Sequence, residues 1–230
     1  MAVEGRGIGH VTRDAASKWQ VIAALGVTQI IGYGSVFYSF SPLMQPLQRA
    51  LGADKSVVVG AFSLALLAAA ACAILVGRTI DRRGGRAVMT TGSAAAGLLL
   101  LMLSQVESVR GLYIIYFGLG CAMAAILYEP AFAVITRIFG ADARRAITTL
   151  TLIAGFASTG FWPLCQLLID ALGWRGAIMA LAGMNLPVCV PLHFFAMPAG
   201  AHRRTVADSD PRPDKHATNL GQALKTPAYY

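Results

Sequence analysis

The chain has 230 residues, 56% hydrophobic and 13% charged, with 19 Lys and Arg against 11 Asp and Glu for a formal net charge of +8; its mean hydropathy is +0.61. Soluble domains carry about 25% charged residues, so this composition excludes an ordinary soluble enzyme, whose surface needs more charge to stay wetted. The charges are also clustered, and long uncharged runs lie between them.

A bilayer core of roughly 30 Å takes about 20 apolar residues as helix. The polar residues 1–18 predict a cytoplasmic N-terminal segment rather than a signal peptide, because the apolar run 21–40 carries no convincing A-x-A cleavage site. Six runs of about spanning length follow: 21–40, 56–77, 87–106, 111–136, 146–169 and 176–201. Each is apolar all round, as for helices that touch lipid and one another, and none shows the strict alternation of a membrane barrel strand. Together they predict a six-helix transmembrane bundle over 19–198, an all-α polytopic membrane protein. Its connections are short apart from 41–55. From 199 to 230 the composition turns polar, with Asp210-Pro211-Arg212-Pro213-Asp214 breaking any regular structure, so a disordered cytoplasmic linker is expected. A short helical turn at 220–224 is expected to lead into a missing seventh helix.

Alternating six helices puts fifteen Lys and Arg on the side of the N-terminus, the second and fourth loops and the tail. The other side holds four: Arg49, Lys55, Arg110 and Arg175. The positive-inside rule then places both termini in the cytoplasm, in an inner or plasma membrane. A basic face against anionic lipid accounts for the net charge, so no nucleic-acid partner is implied. Cys72, Cys121, Cys165 and Cys189 all fall within spans without C-x-x-C spacing and read as small packing residues.

Between the second and third runs stands Gly77-Arg78-Thr79-Ile80-Asp81-Arg82-Arg83-Gly84-Gly85-Arg86. Four arginines pin the loop to the cytoplasmic side, Gly84 and Gly85 permit a tight reversal, and Asp81 offers an anion that can dock on a helix N-terminus. The segment resembles the G-x-x-x-D-R-x-G-R signature loop of the major facilitator superfamily, with Gly77, Asp81, Arg82 and Gly84 at the matching positions, Gly85 where an arginine is common and Arg86 following it. Tyr128-Glu129-Pro130 through Arg137, Arg144-Arg145-Ala146, Leu172-Gly173-Trp174-Arg175 and Ala223-Leu224-Lys225-Thr226-Pro227 are similar to further stretches of bacterial permeases in that superfamily. The likeness covers one half of such a fold. It implies a secondary transporter that moves a small solute by alternating access between this bundle and a second one, with a flavour closer to the monocarboxylate and organic-anion branch than to sugar porters. A half-size protein that dimerises, or a non-transporting sensor or scaffold, is the alternative expectation.

Within the runs the only acid is Glu129. Eight residues from Arg137 put it about 12 Å deep, where a charge costs about 2.5 to 3.5 kcal/mol and must face protein or water. A continuous helical wheel places it on a small-residue face with Gly118, Ala122, Ala125, Ala133 and Thr136. It is expected either to carry a proton or to pair with Arg82 or Arg86. Gln29, about 15 Å beyond Trp19, shares a face with Gly32 and Tyr33 and is a candidate for solute contact or interhelical bonding. In the fifth run Ser158, Trp162 and Gln166 share a face, with Trp162 and Gln166 as candidate pathway residues and a kink expected at Pro163. His193 reads as a boundary histidine. No nucleophile with a base, phosphate loop or metal set is visible, and Gly5-Arg6-Gly7-Ile8-Gly9 precedes no strand. No cofactor, metal or enzyme activity is expected.

Overall fold

The computed structural model of the chain describes residues 7–197. Among these the backbone is helical almost throughout and contains no strand. Helix α1 (Gly7–Gly32) passes through a π turn, Tyr33–Tyr38, into α2 (Phe40–Leu51). There follow α3 (Lys55–Arg83), α4 (Gly85–Ser104), α5 (Val109–Ile126), α6 (Tyr128–Phe139), α7 (Ala143–Met184), a second π segment, Asn185–Cys189, and α8 (Val190–Ala196). The backbone is thus already helical inside the stretch expected as a polar N-terminal tail. The expected linker 199–230 lies outside the described residues.

Four continuous helical stretches are long and apolar enough to cross a membrane: Lys18–Leu51, Lys55–Arg83, Gly85–Ser104 and Val109–Ala196. The last has 88 residues and would rise about 130 Å as one rod, several bilayer thicknesses. It is interrupted where the dihedrals leave the helical region, at Leu127 (φ −83°, ψ −153°), Gly140 (φ 54°, ψ −115°) and Gly173 (φ 71°, ψ 167°). At Pro163, where a kink is expected, the helix is not interrupted. Helix α7 keeps helical dihedrals through that proline, and Gly173 is its only interior departure, because a residue without Cβ reaches positive φ at little cost.

The segment 41–55, expected as a loop, is mostly helix α2. Leu43 and Leu47, at i, i+4 spacing, are buried on one face and join Val58, Leu100, Leu112 and Tyr116 in the largest core cluster. A second cluster gathers Leu25, Met89, Val134, Ile135 and Leu150; a third gathers Ile31, Phe161, Cys165, Leu181 and Cys189. Lipid gives helices no hydrophobic reason to associate, so close van der Waals contact at small residues must hold them. One such point is Gly120 on α5, where an added Cβ would collide with the backbone carbonyl of Ala65 on α3.

Two arginines tie helix ends to distant helices. Arg137 donates to the carbonyl oxygens of Ile80 (2.6 Å) and Asp81 (2.9 Å) at the end of α3. Arg175 does the same for Ser104 (2.6 Å) and Val106 (3.2 Å) around the end of α4. Arg137 adds a second donor to the Ile80 carbonyl, which already accepts the Gly84 N–H at 2.9 Å, and both arginines put positive charge at the negative end of a helix dipole.

Candidate functional site

The break at Leu127 is built by Pro130. In a continuous helix the carbonyl of Ile126 would accept the N–H of residue 130, and proline has none. The side chain of Gln29 takes over: its Nε2 donates to the Ile126 carbonyl at 2.8 Å and to the Leu127 carbonyl at 3.3 Å. Gln29 is fully buried, and its Oε1 has no partner. Beyond the break Leu127 caps α6, and Glu129 stands in the first turn of that helix, exposed and favourably placed for a carboxylate at a helix N-terminus. Of the small-residue face drawn from a continuous wheel, only Ala133 and Thr136 therefore share a helix with Glu129. Ala122 and Ala125 are buried on α5, and Glu129 belongs to a separate helix with its own register.

Aromatic rings of the π turn and of α6 form a connected strip. Tyr33 lies 4.6 Å from Tyr128, centroid to centroid, and Tyr128 stacks on Phe132 at 5.1 Å. Phe37 and Tyr38 each lie 6.0 Å from Tyr33. All five rings are half-buried. Gln29 and Tyr33, at i, i+4 spacing, meet the same break: Gln29 is fully buried on the Ile126 and Leu127 carbonyls, and Tyr33, half-buried, packs its ring on Tyr128. The sequence reading passed over Phe37, Tyr38 and Phe132; the signal available was the concentration of aromatics just after Gly32 and after Glu129.

The two π segments are also joined. Asn185 Nδ2 donates to Ser35 Oγ at 3.0 Å, and Ser39 Oγ donates to the Ser35 carbonyl at 2.6 Å, with Ser35 and Asn185 fully buried. Segments of this kind occur often at functional sites. Trp162 and Gln166 point outward from α7. Trp162 is exposed, and Gln166 donates to Asp170 Oδ1 at 2.8 Å rather than to any group near Glu129. His193 is interior rather than at a wet boundary: it is buried where α8 packs on α4, with Nδ1 2.8 Å from Ser93 Oγ.

The signature segment is almost wholly helical. Gly84 alone makes the reversal, with φ 84°, and Gly85 is the first residue of α4. Glycine at 85 has a packing reason, since a Cβ there would collide with Val134 of α6. Asp81 does not dock on a helix N-terminus. It pairs with Arg137 at 3.5 Å, the one ion pair among the described residues, with its own side chain largely exposed. Glu129 thus pairs with neither Arg82 nor Arg86. Arg82 is exposed, and Arg86 donates to the Met197 carbonyl at 2.9 Å and lies over the Phe194 ring. Gly77 has open space around it. Cys72 and Cys121 touch at 3.4 Å between α3 and α5, and all four cysteines are free.

Apolar helices with an arginine-latched, glycine-turned hairpin between α3 and α4 describe a multi-pass membrane protein of a particular kind. The chain belongs to the Major Facilitator Superfamily, whose model matches residues 25–229. It is similar to Monocarboxylate transporter 11 of Homo sapiens, at 28% identity over 180 residues, covering 75% of this chain and 36% of that protein. It is also similar to Monocarboxylate transporter 1 of Homo sapiens, at 26% over 223 residues, covering 95% and 41%. The crystal structure of tetrameric PepTSo2 shares the fold, with a TM-score of 0.68 at 16% identity over 93% of this chain and 47% of that one. The chain therefore spans less than half the length of these relatives.

Proposed function

We propose that this chain is the N-terminal six-helix bundle of a secondary transporter, a carrier rather than an enzyme. It would move a small solute by rocking against a second bundle in the membrane. The six passes are α1 with α2, α3, α4, α5 with α6, α7 up to Gly173, and the stretch from Trp174 through α8. The excess of arginine at one end sets the orientation, with the N-terminus and the tail in the cytoplasm of a cell bounded by that membrane.

The observation that carries the reading is the exposure of Glu129. Helix α6 runs unbroken from Tyr128 to Arg137, so the carboxylate lies about 12 Å from the arginine along the axis. A charge at that depth costs about 2.5 to 3.5 kcal/mol against lipid, so the face it occupies must meet water or protein. A solute cavity closed by a second bundle supplies both, and the length of the relatives leaves room for one. Glu129 is the proton site in this reading, and the names of the relatives supply an organic anion as the solute class. Proteoliposomes holding the product of the complete reading frame should take up members of a carboxylate panel in response to an imposed pH gradient. The variant Glu129→Gln should lose that response; pH-driven uptake equal to wild type in this variant overturns the proton role.

A further inference from the structure

We propose that Gln29 is a positioning residue for Glu129: by taking the carbonyls of Ile126 and Leu127 it holds the break between α5 and α6, and so keeps the carboxylate on an open face rather than in the packing. The inference rests on the transport reading, in which Glu129 carries the proton, and adds to it the residue that sets where that group stands. A helix running on from α5 would stack residue 129 over Ala122, Ala125 and Ile126, its neighbours one and two turns back on one face. All three are buried, at 4%, 8% and 2% exposure. Glu129 is exposed instead, and along α6 it shares its face with Phe132, Ala133 and Thr136, none of them buried. The difference arises at Leu127, whose ψ of −153° ends α5 and lets α6 begin in a new register. Two groups make that break. Pro130 withholds the N–H that would carry the helix on, and Gln29 Nε2 donates from α1 to the Ile126 and Leu127 carbonyls at 2.8 and 3.3 Å. For packing alone Gln29 is a costly choice, since it is 0% exposed and its Oε1 has no partner, whereas an apolar side chain of similar size leaves no such orphan. What the amide supplies, and an apolar side chain cannot, is the donor that fixes the break.

The test uses the full-length protein and two readouts. In the first, Glu129→Cys reports whether position 129 meets water: a water-soluble methanethiosulfonate is added in detergent and the modified peptide is followed by mass, so that the native cysteines are counted separately. Labelling at position 129 should be about tenfold or more slower once Gln29→Leu and Pro130→Ala are combined, since a buried thiol is inert, and within about threefold of the parent for Pro130→Ala alone, where Gln29 still holds the break. In the second, with Glu129 in place, uptake of the carboxylate panel by proteoliposomes is measured beside Tm. The double variant gives the Ile126 carbonyl a helical partner, so its Tm should stay within a few degrees of Pro130→Ala alone, while kcat for uptake falls about tenfold or more, the scale of a misplaced group. A merely structural Gln29 would lower uptake and Tm together. Labelling equal in all backgrounds overturns the inference, and so does uptake that falls no further than Tm accounts for. If the double variant does not fold, the single Gln29→Leu decides, and labelling and kcat equal to wild type overturn the positioning role. Labelling that behaves as expected in a protein that takes up no member of the panel overturns the transport reading and leaves the placement of residue 129 by Gln29 standing.

Discussion

The bond between Gln29 and the α5–α6 break makes a quantitative prediction that needs no knowledge of the solute. Replacing Gln29 by leucine removes the donor to the Ile126 carbonyl, which Pro130 has already deprived of its helical partner. The Leu127 carbonyl keeps the Ala131 N–H at 3.4 Å, so one buried acceptor is orphaned rather than two. That loss costs about 1–3 kcal/mol. The substitution also deletes Gln29 Oε1, itself buried without a partner, which draws the expected net cost to about 1–2 kcal/mol, or roughly 2–8 °C in Tm for a chain of this size. Gln29→Glu should be worse, because an ionised carboxylate would face two carbonyl oxygens in a buried site. The decisive measurement is a double-mutant cycle followed by thermal unfolding in detergent. Pro130→Ala restores an N–H for Ile126, so Gln29→Leu should cost markedly less in that background. An equal loss of Tm with and without Pro130→Ala would refute the account of the break.

Two other substitutions test the packing. Gly120→Ala drives a methyl into the Ala65 carbonyl and should lower stability by about 1–3 kcal/mol, as overpacking does, whereas Gly155→Ala, with nothing within 4 Å, should leave Tm unchanged or raise it. Arg137→Ala should cost about 1.5–3 kcal/mol for a charged donor serving two carbonyls; Asp81→Asn should cost less than about 1 kcal/mol, since that half of the ion pair is largely in solvent. Equal effects of Arg137→Ala and Asp81→Asn on Tm would show that the ion pair, not the carbonyl latch, is what Arg137 contributes.

Much of the architecture was legible because the bilayer imposes a length and a charge rule that a linear sequence displays directly. The uncharged runs, the arginine-rich hairpin at Gly84 and the prominence of Glu129 could all be read in this way. Helix α2 was missed because a Pro-containing stretch between two spans looks like a connection until Leu43 and Leu47 are seen to face a core. The partner of Asp81 was missed because Arg137 is 56 residues away in sequence, and no spacing rule reaches that far. Gln29 illustrates the same limit. Its polarity announced that it faces inward, but an inward face can be a cavity wall or a helix contact, and only the position of the Ile126 carbonyl decides between them.

The sequence by itself determined that this chain is helical, lies in a membrane and carries a single acid, Glu129, within its long apolar runs, because hydropathy and charge act locally and additively along the chain. The tertiary structure decided where polarity is spent. A missing N–H at Pro130 is answered by Gln29 on another helix, the C-terminus of α3 is closed by Arg137, and the ring of Tyr33 packs on Tyr128 of α6. Hydrogen bonds and ring contacts work over about 3–6 Å in space, whatever the separation in sequence, so these pairings become visible only once the helices are packed.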